Sequence, residues 1–163
     1  MEIERKYLIS SVPFALSSYP CRKIEQGYLS TAPVVRIRRD NNDYILTYKS
    51  KGMMIREEYN LPLTREAYAH LLPKADGSVL TKKRYLIPLD NSDHLTIELD
   101  VFEGRYACLV LAEVEFTTEE EAMSFQPPEW FGRDVTFTRE YQNSRLACGW
   151  SVSYTHLRAH ETE

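Results

Sequence analysis

Charged side chains recur at every second position in several short segments of this chain. Glu2, Glu4 and Lys6 alternate with Ile3 and Tyr7, Arg36 and Arg38 with Val35 and Ile37, and Thr47, Lys49 and Lys51 with Leu46 and Tyr48. Arg56 and Glu58, then Lys82 and Arg84, keep the same spacing. Glu98 and Asp100 stand opposite Ile97, Leu99 and Val101, and Glu113 and Glu115 opposite Val114 and Phe116. Successive residues of an extended strand point to opposite faces, so each segment carries its ionic groups on one side. The signs also sort by segment. Carboxylates gather on the first, seventh and eighth, cations on the third, fourth and sixth.

These residue types suggest a particular chemistry. Carboxylates without nearby His or Cys favour magnesium or manganese over zinc, because hard oxygen donors suit hard cations. Arg offers paired donors to phosphate oxygens, and Lys adds a compact point charge. The chain has no GxxxxGK loop, no GxGxxG and no kinase-type catalytic loop. Among phosphoryl-transfer designs this leaves a metal ion plus positioned cations.

The elements that must position these groups read mainly as strands. Period-two alternation with Tyr, Val, Ile and Thr enrichment predicts strands over Glu2–Ile9, Arg22–Leu29, Val34–Arg39, Tyr44–Lys51, Met54–Leu61, Ser78–Pro88, His94–Glu103 and Cys108–Phe116. The clusters Asp40–Asp43 and Asp90–Asp93 favour tight reversals and hence antiparallel hairpins. Helices are fewer. Thr64 can cap a short one through about Leu72, stopped by Pro73, and Thr118-x-x-Glu121 is a capping-box pattern ahead of Pro127-Pro128. A last helix is expected over Arg139–Cys148, with Gly149 past its end. The fold class is therefore α+β and mainly β, an eight-stranded antiparallel closed barrel with peripheral helices.

Two arrangements fit the alternation. The charged faces either meet solvent on the outside of a half-buried sheet, or line a lumen. Thr and Ser, the usual fillers of a solvated face, are scarce on them, and this favours the lumen. A dry lumen with so many charges would cost too much in desolvation, so it should be hydrated and ligand-bearing. That describes a tunnel for a polyanion, with an acidic wall suited to a hard metal ion.

Composition sets the bounds. The chain has 163 residues, 43% hydrophobic and 27% charged, enough for one globular domain with a sizeable core. A net charge of −4 supplies no bulk positive field, so neither a nucleic-acid polymer nor a membrane surface is expected as a partner. No apolar run approaches the roughly 18–20 residues that span a bilayer. Met1-Glu-Ile-Glu-Arg-Lys puts carboxylates where a signal peptide would need basic and then apolar residues, and a cytoplasmic location is expected. Cys21, Cys108 and Cys148 are scattered and read as reduced thiols. Residues 151–163 share no apolar face with the preceding elements and resemble a translated adapter fragment, so the domain is taken as 1–150. Setting the tail aside removes His156 and His160, whose four-residue spacing could otherwise suggest zinc, and leaves only His70 and the distant His94.

In order along the chain stand Glu2-Ile3-Glu4-Arg5-Lys6, Gln26-Gly27-Tyr28-Leu29, Val35-Arg36-Ile37-Arg38, Thr47-Tyr48-Lys49 and Arg56-Glu57-Glu58. Lys82-Lys83-Arg84-Tyr85, Glu98 to Phe102, Glu113-Val114-Glu115 and Tyr141-x-Asn143 follow. This series resembles the CYTH superfamily, also called triphosphate tunnel metalloenzymes, whose hallmark is an N-terminal ExExK strand. The resemblance covers roughly residues 1–148. It implies an eight-stranded antiparallel tunnel in which cations hold a triphosphate and acidic residues hold magnesium or manganese. Carried over by position, Glu2, Glu4 and Glu115 are metal ligands, with Glu113, Glu58, Glu98 and Asp100 as further ligand or water-positioning candidates. Lys6, Arg36, Arg38, Lys49, Arg56, Lys82 and Arg84 would grip phosphate oxygens. Some members pair the Lys of ExExK with the Tyr of the QGYL-like segment in catalysis, which points here to Lys6 and Tyr28. Cationic surroundings favour the basic form of such a group, while Tyr28 read by itself is equally a packed barrel aromatic.

The resemblance spans inorganic triphosphatases, thiamine-triphosphatases, RNA 5′-triphosphatases and class IV adenylyl cyclases. A compact single unit with no added base-binding segment favours hydrolysis of inorganic triphosphate. The alternatives are ATP cyclisation, another organic triphosphatase, and a polyphosphate or nucleotide binder without turnover. A homodimer is left open.

Overall fold

The computed structural model describes residues 1–143 and 146. Its strands are β1 (Glu2–Leu8), β2 (Cys21–Thr31), β3 (Val34–Asp40), β4 (Asp43–Lys49), β5 (Ile55–Arg56), β6 (Glu58–Pro62), β7 (Asp76–Pro88), β8 (Thr96–Phe102) and β9 (Val110–Glu115). They form one antiparallel sheet in the order β5-β1-β9-β8-β7-β2-β3-β4-β6. The consecutive strands β5 and β6 thus stand at opposite ends of that order. The segment expected as a single fifth strand is broken at Glu57. Its first part pairs with β1, Arg56 opposite Glu2, and its second with β4, Glu58 opposite Lys49. One interrupted strand therefore wraps the sheet into a nearly closed barrel, and the expected eight strands become nine by this break.

Local chemistry fixes the seam. Ser50 N donates to Glu57 O at 3.0 Å, and Glu57 N donates back to Ser50 Oγ at 2.9 Å. Gly52 in the same turn has φ +129°, where a Cβ would lie 2.4 Å from Ile55 O, so only glycine fits. The reversal between β3 and β4 places Asn41 at φ 54°, a conformation Asn tolerates better than most residues.

The main core lies outside the barrel wall. Ile3 and Tyr7 of β1, Ile87 of β7, Ile97 and Leu99 of β8, and Ala112 and Val114 of β9 are buried together with Phe116 and Phe131. Ala122 of α2 (Glu119–Met123) is buried in the same cluster, against which half-buried Phe14, Tyr19, Phe125 and Trp130 also pack. Each Ile, Leu, Val or Phe among them contributes about 1.5–3 kcal/mol when fully removed from water. Removing all charge from the lumen is not required for folding, because the apolar area is buried elsewhere. A second cluster continues the lumen faces past their charged residues. Leu8, Leu80, Phe102, Leu109 and Leu111, with Val135 and Tyr141, close that end with an apolar plug.

The short helices follow their caps. Thr64 Oγ1 accepts from Ala67 N at 3.0 Å ahead of α1 (Arg65–Leu71), which runs into a 3-10 turn containing Pro73. Thr118 Oγ1 accepts from Glu121 N at 3.1 Å ahead of α2. The return arm of that box is displaced, since Glu121 Oε1 accepts from Thr117 N at 3.3 Å. The expected last helix differs at its start: Arg139–Tyr141 is a 3-10 turn, and Gln142 is extended. Residues 144, 145 and 147–163, with Cys148, Gly149, His156 and His160, lie outside the described residues. No helix among the described residues is long and apolar enough to cross a membrane.

Gly27 interrupts β2 on its outward side. A Cβ there would meet Ala75 Cβ at 2.9 Å, where the 3-10 turn after α1 feeds β7. The register of β2 shifts on either side of Tyr28, against β7 and against β3. Gly27→Ala should cost about 1–3 kcal/mol by overpacking a fixed neighbour. A urea melt read by far-UV circular dichroism should show the lower midpoint; an unchanged midpoint would mean that β2 and the Ala75 turn are not in contact.

Candidate functional site

Cross-strand register brings the alternating charges together. Lys6 stands opposite Glu113, Glu4 opposite Glu115 and Glu98 opposite Glu113. Arg84 stands opposite Asp100, and Tyr28 opposite Arg36. Because these residues share the inward face, they line one lumen with about 210 Å³ of open space. Glu2, Glu4, Lys6, Tyr28, Arg36, Arg38, Lys49, Arg56, Glu58, Lys82, Arg84, Glu98, Glu113 and Glu115 all border it. Asp100 is the one expected site residue that does not. It is fully buried on the inward face, deeper than the open space and next to the apolar plug.

Asp100 anchors the cations around it. Its Oδ1 accepts from Arg84 Nε at 2.7 Å and its Oδ2 from Arg84 Nη2 at 2.9 Å, a bidentate pair. Lys82 Nζ lies 2.7 Å from the same Oδ2. Burial raises the proton affinity of Asp100, but Arg84 and Lys82 overcome it and hold the carboxyl below the usual range. Arg84 also reaches Glu98 at 3.1 Å and Glu113 at 3.7 Å. Burial works against its charge, yet Asp100, Glu98 and Glu113 keep the guanidinium protonated. Lys82 fares differently. Its burial outweighs Asp100 and, with Arg84 and Arg38 nearby, brings the ammonium down to about 7.

The opposite side of the lumen is acidic and crowded. Glu2 Oε1 accepts from Lys49 Nζ at 2.9 Å and lies 3.7 Å from Arg56, which is 3.8 Å from Glu4. Burial, then repulsion from Glu4, then a hydrogen bond with Glu58 push Glu2 up to about 8. Glu58 answers in the other direction. The hydrogen bond with Glu2 draws it down to about 2, so the two share a proton that rests on Glu2. Burial and Glu113 raise Glu4, and burial, Glu98 and Glu58 raise the exposed Glu115 at the lumen mouth. Glu113 is held well below the usual carboxylate range: burial opposes its charge, but Lys6, Arg84 and Lys82 prevail. Among the described residues no three of these carboxylates converge as a ready metal cluster.

Arg36 and Arg38 are the exceptions to this compensation. Neither makes an ion pair among the described residues. Arg36 Nη2 reaches only Thr47 Oγ1 at 3.4 Å, and its Nε is buried without a hydrogen-bond partner. Arg38 donates Nε and Nη2 to the neutral Gln26 Oε1 at 3.0 and 2.8 Å. Burial, then Arg36, then Arg84 lower Arg38 to about 9. Two adjacent guanidiniums facing a lumen with no carboxylate in contact make an anion site.

Several neutral residues complete the wall, and charge patterning passed over them. Gln26 is fully buried, and Asn143 accepts from Lys82 Nζ at 2.9 Å. Thr47 is fully buried and donates to Asn60 Oδ1 at 2.6 Å, while Asn60 Nδ2 donates to Glu58. Arg22 also borders the lumen, at the start of β2, where it lies opposite Arg84. The expected catalytic pair is apart in its contacts. Lys6 Nζ lies 3.4 Å from Tyr141 O and 3.6 Å from Glu113, whereas Tyr28 Oη accepts from Gln26 Nε2 at 3.1 Å. Tyr28 belongs to the apolar plug and also borders the lumen.

A family model described as the CYTH domain matches residues 1–146. An inorganic triphosphatase of Nitrosomonas europaea is 39% identical over 150 residues, spanning 90% of this chain and 96% of that protein. An inorganic triphosphatase of Acetivibrio thermocellus is 25% identical over 155 residues, 89% of this chain and 92% of that one. The crystal structure of an inorganic triphosphatase superposes with a TM-score of 0.68 at 35% identity, covering 91% of this chain and 95% of that chain.

Replacing Asp100 tests the anchoring geometry. Asp100→Ala leaves Lys82 buried beside Arg84 and Arg38 with no carboxylate in contact, and should cost about 3–5 kcal/mol of stability. Urea denaturation should show the loss, and sodium chloride or sulfate should recover part of it by screening. A variant as stable as the wild type would mean that these cations do not depend on Asp100.

Proposed function

The chain belongs to the CYTH family, and from that premise we propose that it is a phosphoanhydride hydrolase that cleaves inorganic triphosphate to pyrophosphate and orthophosphate with the help of a divalent cation. The observation that carries the reading is the uncompensated pair Arg36 and Arg38, in a lumen whose other cations already have carboxylate partners. A compact anion with several charges satisfies both guanidiniums together. The similarity to inorganic triphosphatases over nine-tenths of the chain points to the same substrate.

The acidic wall suits magnesium or manganese. All of its donors are carboxylate oxygens, and Glu2, Glu4 and Glu115 hold protons more tightly than free carboxylates because burial and neighbouring carboxylates disfavour their charge. A divalent cation relieves that repulsion. Glu2, Glu4 and Glu115 would hold it, with Glu113, Glu58 and Glu98 as further ligands or water-positioning groups. When bound, such an ion neutralises phosphate oxygens and makes water more acidic. Asp100 takes a different part, holding Arg84 and Lys82 in place from behind.

The wall residues act mainly by position. Arg36, Arg38, Lys82 and Arg84 grip phosphate oxygens from the β2-β3-β7 side, and Lys6, Lys49 and Arg56 do so from the β1-β4-β5 side. The water oxygen bonds to a terminal phosphorus and gives up a proton to solvent as the bridging P–O bond breaks, and the bridging electrons stay on the pyrophosphate oxygen. The cations stabilise the charge that gathers there, with no reorganisation at the moment of reaction. Lys6, between Glu113 and the lumen, is placed to stabilise the same charge. A cytoplasmic location belongs to this reading, since cytoplasm supplies both polyanion and magnesium.

A substrate panel with magnesium or manganese tests the proposal. Orthophosphate and pyrophosphate should appear from tripolyphosphate in equal amounts, and ATP should yield no cyclic AMP. Cyclic AMP from ATP without tripolyphosphate hydrolysis would overturn it. Glu4→Ala and Glu115→Ala should each lower turnover by about 100-fold or more with the fold retained; full activity in both would remove the acidic wall from the reaction. Arg38→Ala should weaken substrate binding by about 10–100-fold, and an unaltered KM would count against its role.

The pH dependence has a definite sign on each side. Glu2 keeps its proton up to about 8 and must lose it to bind metal, so manganese affinity should climb with pH and flatten beyond that value. Lys82 is cationic only below about 7 in the free protein, so metal-free affinity for tripolyphosphate should fall as pH rises through that value. Calorimetric titrations of each ligand alone, across about pH 6 to 9, should give these opposite slopes. Parallel slopes would mean that the assigned groups are wrong.

A further inference from the structure

Gln26 is completely committed. Its Oε1 accepts two hydrogens from Arg38, and its Nε2 donates to Tyr28 Oη at 3.1 Å and to Asn143 Oδ1 at 3.2 Å. It is fully buried and touches nothing in the lumen by itself. The direction of every bond in this set is forced. A guanidinium can only donate, so the amide oxygen must face Arg38 and the amide nitrogen must face Tyr28 and Asn143. Gln26 Nε2 can only donate, which turns Asn143 Oδ1 towards it, and the same oxygen accepts from Lys82 Nζ at 2.9 Å. The donor-only guanidinium of Arg38 thus fixes Gln26, and through it Asn143.

The consequence falls on Tyr28. Its oxygen already accepts from Gln26, so its hydrogen is directed elsewhere, and Tyr28 borders the lumen. Asn143 borders it too, and with its oxygen used twice, its Nδ2 hydrogens remain for a ligand. An anionic Tyr28 oxygen would stand against the phosphate oxygens gripped by Arg36 and Arg38, whereas a hydroxyl would add a hydrogen bond to them. We propose that Gln26 is a positioning residue that fixes the hydrogen-bond polarity of this wall, so that the Tyr28 hydroxyl and the Asn143 amide act as neutral donors to a phosphate group. Tyr28 is then a substrate-binding donor and does not remove a proton from water. The proposal rests on the polyanion reading of the lumen and assigns parts within it.

A double-mutant cycle tests it. Gln26→Glu keeps an acceptor for Arg38 but replaces the Nε2 donor, so the new carboxylate draws the Tyr28 hydrogen to itself and out of the lumen. Tyr28→Phe removes that hydrogen outright. Each should weaken metal-free tripolyphosphate binding by about 10–100-fold, and the double variant should bind no more weakly than the worse single one. Losses that multiply would show that the two residues act independently, and would overturn the proposal. The pH profile of hydrolysis supplies the second arm. Tyr28→Phe should lower kcat/KM by one constant factor across about pH 6 to 9, while loss of an ascending limb would make Tyr28 a base and contradict the donor role. If Gln26→Glu does not fold, Asn143→Ala takes its place. It should leave the Tyr28→Phe factor unchanged while lowering binding, and undiminished binding would remove Asn143 from the wall. Because binding is read without metal or turnover, a chain that binds tripolyphosphate but hydrolyses nothing would refute the enzymatic reading and leave this one to be decided by the cycle.

Discussion

The lumen cannot neutralise itself, and the rest of the structure depends on that constraint. Arg84 and Lys82 have Asp100 behind them, Lys6 has Glu113, and Lys49 has Glu2 and Glu58. Arg36 and Arg38 have only a threonine and a glutamine. Holding two guanidiniums together with no carboxylate in contact is unfavourable in a protein interior, and an anion that joins them relieves it. The acidic side carries the complementary defect, since burial and neighbouring carboxylates raise the proton affinity of Glu2 and Glu4, a repulsion that a metal ion would relieve. Each wall lacks what the other half of a metal–polyphosphate complex supplies.

A barrel that keeps its interior wet must find its apolar core elsewhere. Here the outward faces of β1, β7, β8 and β9 pack beneath α2 and a set of aromatic rings, and a second apolar cluster plugs one end. Closure needs no ninth independent strand. The break at Glu57 lets one segment serve β1 with its first part and β4 with its second. Closure also brings Glu2 beside Lys49 and Arg56, residues distant in sequence whose charges then interact. Fold and site thus share the seam.

Much of this was legible in the chain itself. Period-two alternation identified the inward residues wherever a lumen-facing charge and an outward Ile or Leu differ in type, as in Arg36 and Arg38 about Ile37 or Glu98 and Asp100 about Leu99. It could not identify the depth of a residue along the barrel. Asp100 carries the same signal as Glu98, yet it lies deeper in the barrel, held by Arg84 and Lys82, while Glu98 reaches the lumen. Gln26, Thr47 and Asn143 stand in the motif series without a role of their own, and Asn60 outside it, because they are neutral and their value lies in the direction of their hydrogen bonds. The break at Glu57 was hidden for another reason. Its alternation is that of one strand, and only pairing with two partners divides it.

A crystal structure of the chain with tripolyphosphate and manganese tests the central claim most directly, because the anomalous signal of manganese locates the metal independently of the phosphates. The account predicts one anion inside the lumen, its oxygens within hydrogen-bond distance of both Arg36 and Arg38, and manganese on the carboxylates of Glu2 and Glu4. Tripolyphosphate bound outside the barrel, or metal bound away from the acidic wall, would contradict it.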